Sequence, residues 1–117
     1  MTDLTLYHNL RCSKSRGALE LLEARGLQPR VVHYLETPPS AAELRELLGK
    51  LGYSARQLLR SGEEVYQTLN LADPTLDDET LIAAMLEHPR LIERPILVVG
   101  DKAIIGRPSE RILELLP

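Results

Sequence analysis

The stretch "LYHNLRCSKSR", residues 6–16, holds the only cysteine of the chain, Cys12, beside the cations Arg11, Lys14 and Arg16. A cysteine attacks as its thiolate, and a free thiol, with a pKa of about 8.5, is mostly protonated at neutral pH, so a working cysteine needs a positive environment. The residues after Cys12 read as the start of a helix, whose first N–H groups and positive dipole end favour an anion. The amides of Ser13, Lys14, Ser15 and Arg16 would cradle a tetrahedral oxyanion by the same physics. Lys14 and Arg16 oppose the helix dipole unless an anion joins them. The bland reading stands beside this one: a lone cysteine is commonly a small buried hydrophobe, and two cations on a first turn are commonly a solvated surface. A single cysteine forms no internal disulfide, and Ser15 occupies the place where a dithiol motif carries its second thiol. Any redox chemistry at Cys12 must therefore draw its electrons from another molecule.

Other chemistries fit less well. A phosphatase loop of the C-x5-R type needs an arginine six positions after the cysteine, and Ala18 stands there. His8, His33 and His88 are scattered without metal-ligand spacing, so no metal is expected, and His33 and His88 read as structural. "DPTLDDE" is acidic but reads as a helix cap rather than a calcium loop.

The elements that must position Cys12 follow from pattern. With 117 residues, 44% of them hydrophobic, one domain with a real core is expected over 1–117. Fourteen Lys and Arg against 17 Asp and Glu leave a net charge of -3, which argues against nucleic acid or an anionic membrane as partner. The sequence starts without the marks of a signal peptide and contains no apolar run near the ~20 residues of a membrane span, so a cytoplasmic monomer is expected.

"LTLYH" alternates like a short strand, and "SRGALELLEARG" sets Ala18, Leu19 and Leu22 at helical spacing with Gly26 as its stop. "RVVHYL" reads as a second strand, and "TPPSAAELRELLGKLG" as a helix with a Ser40–Glu43 capping box and an apolar face of Leu44, Leu47, Leu48 and Leu51. Short helices broken at Ser61 and Gly62 follow, then a helix capped by Asp77 that closes before Pro89. "PILVV" and "KAII" flank the hairpin signal Gly100–Asp101, and "RPSERILELLP" closes the chain as a helix. This order predicts an α/β fold with a mixed four-stranded sheet: two parallel strands joined by a crossover helix, a helical insertion at about 40–90 between the second and third strands, then an antiparallel hairpin. With a cysteine at the first strand-to-helix turn and a proline opening the third strand, that is a thioredoxin-like outline.

The segments "YHNLRCSKSR", "HYLETPP", "LLR", "DDETLIAAMLEHPRLIERPI" and "GRPSERILELLP" resemble the glutaredoxin-coupled arsenate reductase family, in sequence and in order, over nearly the whole chain. Ser13 and Lys14 stand where well-studied members have Gly and Thr, which makes the chain similar to an arsenate reductase-like side branch. The resemblance implies a glutathione- and glutaredoxin-dependent reduction of arsenate to arsenite through a covalent Cys12 adduct, with glutathione as co-substrate and no bound cofactor. It further implies that Arg60, Arg94 and Arg107 line the oxyanion pocket and that His8 helps to keep Cys12 ionised. It also implies a cis peptide bond between Arg94 and Pro95, facing the cysteine. Two rivals remain open: a regulatory binding protein like the Spx regulators, which typically carry a C-x-x-C switch that this chain lacks, and a monothiol oxidoreductase of glutathionylated proteins, which needs no trio of arginines.

Overall fold

The computed structural model describes residues 3–116. The chain separates into two compact units, one formed by the segments 1–37 and 94–117, the other by 38–93.

The first unit is built on a four-stranded sheet in the order β2-β1-β3-β4. β1 (Leu4–Tyr7) leads through α1 (Ser13–Ala24) to β2 (Arg30–Val32), which pairs parallel to it, while β3 (Ile96–Val99) and β4 (Lys102–Ile105) form an antiparallel hairpin beside β1. This is the mixed thioredoxin-like sheet that the sequence pattern predicts. Register aligns Val31, Leu6, Leu97 and Ile104 across the four strands. Leu6 and Leu97 join Ala18 and Leu22 of α1 and Ile112 of a C-terminal 3-10 helix (Ser109–Leu115) in a fully buried cluster. The α1 spacing thus packs one helix face on one sheet face, and its opposite face stays wet. Gly100 turns the hairpin at φ +62°, a conformation that side chains rarely adopt.

Two elements differ from the sequence expectation. β2 stops at Val32 because the chain turns back on itself, with the Glu36 and Thr37 N–H groups both donating to the His33 carbonyl. The C-terminal helix is 3-10 rather than α; its seven residues follow a proline, and tertiary packing of Ile112 holds it in place.

The second unit, the insertion between β2 and β3, is helical. It comprises α2 (Ala41–Leu51), α3 (Ala55–Leu58), α4 (Glu64–Thr68), α5 (Asp78–Glu87) and a 3-10 turn (Pro89–Leu91). Ser40 and Glu43 make the expected capping box, Ser54 and Gln57 make a second one, and Asp77 caps α5 by accepting from the Thr80 N–H. Leu44, Leu47 and Leu48 are buried on α2, with Leu51 half-buried. An antiparallel bridge between Leu59 and Ile92 ties the end of α3 to the C-terminal end of this unit. Among the described residues, no helix is long and apolar enough to cross a membrane.

Candidate active site

β1 delivers the chain to a tight turn. The Cys12 N–H donates to the Asn9 carbonyl at 3.0 Å, and the Arg11 N–H donates to Asn9 Oδ1 at 2.9 Å. Asn9 thus closes the turn with both its backbone carbonyl and its side-chain oxygen. Cys12 emerges as the N-cap of α1, with extended backbone and no side-chain capping bond. Arg16 is the first residue of the helix to donate, to the Cys12 carbonyl at 3.0 Å, so the amides of Ser13, Lys14 and Ser15 precede the helical ladder. No acid occupies this first turn, in contrast to α2 and α5.

Cys12 is only 8% exposed, so its sulfur meets a restricted approach rather than open water. Arg107 Nη1 lies 3.8 Å from Cys12 Sγ and also donates to the Arg94 carbonyl at 3.2 Å. The sheet explains that meeting. Arg94 precedes β3 and Arg107 follows β4, and because Ile96 pairs with Ile105 the hairpin brings both arginines to one end. The Gly106 N–H donates to the Pro95 carbonyl at 2.9 Å. A Cβ on Gly106 would come within 3.0 Å of both Pro95 and Ile112, so this close approach of β4 to Pro95 needs glycine. The Arg94–Pro95 peptide is cis, as expected, and Arg107–Pro108 is a second cis bond that the sequence reading did not include.

Ser13, Lys14 and Arg16 are exposed around the cysteine, whereas Ser15 turns inward and is fully buried. Its Oγ accepts the Asn9 N–H at 3.0 Å and lies 2.6 Å from His8 Nδ1. His8 is 1% exposed, and its Nε2 meets no hydrogen-bond partner among the described residues. Burial, then the neighbouring His33 and Arg16, lower the His8 pKa from its ordinary 6.5, so at neutral pH the ring is uncharged. The uncharged ring meets the first turn of α1 through Ser15.

Arg60 lies in the helical unit. Its guanidinium is held between Glu93 at 3.2 Å and Glu63 at 3.4 Å, and its N–H donates to the Leu91 carbonyl. Two carboxylates offset its charge there. His33 is exposed with its ring 5.9 Å from that of His8, and His88 is the C-cap of α5. Among the described residues, no three His, Cys, Asp or Glu side chains converge where they could hold a metal ion.

A cysteine at a helix N-terminus with an arginine against its sulfur, on a thioredoxin-like sheet, is the arrangement to set beside known proteins. The model of the ArsC family matches residues 7–115. This chain belongs to the ArsC family. An arsenate reductase of Neisseria meningitidis is 47% identical over 117 residues, which cover 99% of this chain and 100% of the relative. A protein of Escherichia coli K12 named uncharacterized protein YfgD is 56% identical over 112 residues, covering 95% of this chain and 94% of that one. The solved structure of an arsenate reductase from Vibrio cholerae superposes with a TM-score of 0.95 at 51% identity, over 98% of each chain.

The local network has signals that the sequence reading missed. Asn9 two residues before Arg11 is an Asx-turn pattern, and it predicts the backbone brace beneath Cys12. The pairing of Ser15 with His8, seven residues apart, has no such local signature, since it depends on how α1 lies against β1.

The buried, neutral His8 ties stability to pH. Its folded-state pKa is lowered, so between that value and 6.5 the unfolded chain binds the extra proton and the folded one does not. The stability it contributes is present above pH 6.5 and is lost as pH falls through the folded value. The aspartates and glutamate with lowered pKa values, Asp73, Asp77 and Glu79, act only below their ordinary 3.8 to 4.5. Urea unfolding is thus expected to show stability falling between pH 7 and pH 5, with a shallower fall in the His8→Asn variant. Equal slopes in the two proteins would show that His8 takes up a proton as easily folded as unfolded.

Proposed function

We propose that this chain is an oxidoreductase that reduces arsenate to arsenite, with Cys12 as nucleophile and with glutathione and glutaredoxin as reductants. The observation that carries the reading is the Arg107 guanidinium at Cys12 Sγ on the helix N-terminus, in a chain of the ArsC family. The Cys12 thiolate attacks arsenic and displaces water. Developing charge on the oxygens falls to the amides of Ser13, Lys14 and Ser15 and to Arg94 and Arg107. Lys14 and Arg16 add a favourable field at the rim, and His8 braces Ser15. Glutathione then adds to arsenic and displaces a second water. The glutaredoxin thiolate attacks the glutathione sulfur, the S–As bond breaks and leaves its electron pair on arsenic as the S–S bond forms, and water hydrolyses the remaining Cys12–arsenic bond to release arsenite and the cysteine. No bound cofactor takes part. This chemistry needs a reducing compartment, which the cytoplasm supplies.

The test is an arsenate reduction assay with glutathione and glutaredoxin together and with each omitted. Arsenite is expected only when both are present, and none from the Cys12→Ser variant. Arsenite formation by that variant, or none by the wild type with both donors, would refute the reading.

A further inference from the structure

Leu10 stands out among the described residues as a large apolar side chain 60% exposed, and Leu69 is the other one that is exposed at all strongly. Leu10 is not on a loose loop. It sits with Arg11 at the apex of the Asn9–Cys12 turn, which is closed by the Cys12 N–H on the Asn9 carbonyl and braced by Asn9 Oδ1 on the Arg11 N–H. The Leu10 carbonyl is also gripped by Arg16 Nη1 at 2.8 Å. Three bonds thus hold a leucine out in water two residues from the nucleophile. The charge around it is one-sided. From Leu4 to Leu19 the sequence contains no Asp or Glu, while Arg11, Lys14 and Arg16 are all exposed, in a chain whose net charge is -3.

We propose that the apex of this turn is the docking surface for a redox protein that resolves adducts on Cys12. Leu10 enters an apolar recess of the partner, and Arg11, with Lys14 beside it, faces an acidic rim. The proposal deepens the reading that Cys12 relies on an external thiol. The chemistry favours a protein over a small thiol, because a rigidly displayed leucine gains from a partner that has a packed surface to receive it, and a cationic collar selects partners by charge and speeds encounter. Glutathione is itself anionic, so it is the exposed Leu10 that distinguishes a protein partner from a small thiol, which has no packed surface to receive it.

The test leaves arsenate out, so that its failure is separate from failure of the substrate reading. Cys12 is converted with oxidised glutathione to its mixed disulfide. The glutaredoxin thiolate attacks the glutathione sulfur, Cys12 leaves as thiolate, and glutaredoxin keeps the glutathione, so electrons balance without another reagent. Rates are measured with glutaredoxins of the same organism and with dithiothreitol, at low and high salt. The wild-type rate with glutaredoxin is expected to fall with salt. Arg11→Glu should lower it about tenfold at low salt and flatten the salt dependence, as rim charges do. Leu10→Ser should lower it by about as much with the salt dependence intact. Both variants should match wild type with dithiothreitol. The proposal is overturned if either variant keeps the wild-type rate with glutaredoxin, if both slow equally with dithiothreitol, or if no glutaredoxin outpaces dithiothreitol on the wild type.

Discussion

Replacing Arg107 by Ala is expected to slow arsenate turnover roughly tenfold to a hundredfold, the loss of a charge-assisted contact of about 1.5 to 3 kcal/mol in the transition state. Arg107 Nη1 lies 3.8 Å from Cys12 Sγ, so its guanidinium is placed to meet an oxyanion held at that sulfur. Folding should suffer less, since the hydrogen bond of this guanidinium to the Arg94 carbonyl is worth about 1 kcal/mol. Arg107→Lys should recover only part of the rate, because an ammonium cannot present two parallel donors to an oxyanion. Steady-state kinetics and a thermal melt on the same preparations decide the matter. A large drop in melting temperature with turnover intact would make Arg107 a scaffold residue.

A second large effect is expected in the sheet that aims these groups. Leu97 is fully buried in the central strand β3, opposite Leu6 on one side and Ile104 on the other, and packs with Ala18, Leu22 and Ile112. Leu97→Ala removes that packing and leaves a cavity that neighbours on two paired strands cannot collapse into, at a cost of about 2 to 5 kcal/mol. For a domain with about 5 to 15 kcal/mol in total this is severe. Urea titration is expected to show a lower midpoint with an unchanged slope. Val98, one residue on and on the opposite face of the same strand, serves as comparison, and Val98→Ala should cost less because fewer atoms are removed. A Leu97→Ala protein as stable as wild type would mean that this cluster does not hold the sheet together.

Much of this fold is legible in the sequence because its signals are local. The Ser40–Glu43 box needs four consecutive residues, the hairpin needs Gly100 and Asp101 between two β-branched runs, and α1 needs its 3.6-residue spacing. The length of β2 is not legible. "RVVHYL" carries strand propensity throughout, but the carbonyl of His33 bonds forward to Glu36 and Thr37 and ends the ladder after Val32. The 3-10 form of the last helix is equally hidden, since apolar spacing over seven residues cannot separate a period of 3.0 from one of 3.6.

At the site, the place of Cys12 before a helix can be read directly, and the hairpin already implies that residues just before β3 and just after β4 meet. What cannot be read is which way a side chain turns. Ser15 and Arg16 are neighbours, yet one is buried against His8 and the other reaches back over the turn to Leu10. Arg60 looks in sequence like a free cation on a short helix, and only the tertiary structure brings Glu93, thirty-three positions away by their numbers, against it.

The most direct test of the central claim is the alkylation rate of Cys12 by iodoacetamide at pH 6, with and without arsenate or sulfate. An anion bound at the α1 N-terminal amides and at Arg107 should slow the alkylation of Cys12 in wild type and should give no such protection in Arg107→Ala. A Cys12 whose alkylation neither anion changes, or that both anions protect equally well in Arg107→Ala, would contradict the account.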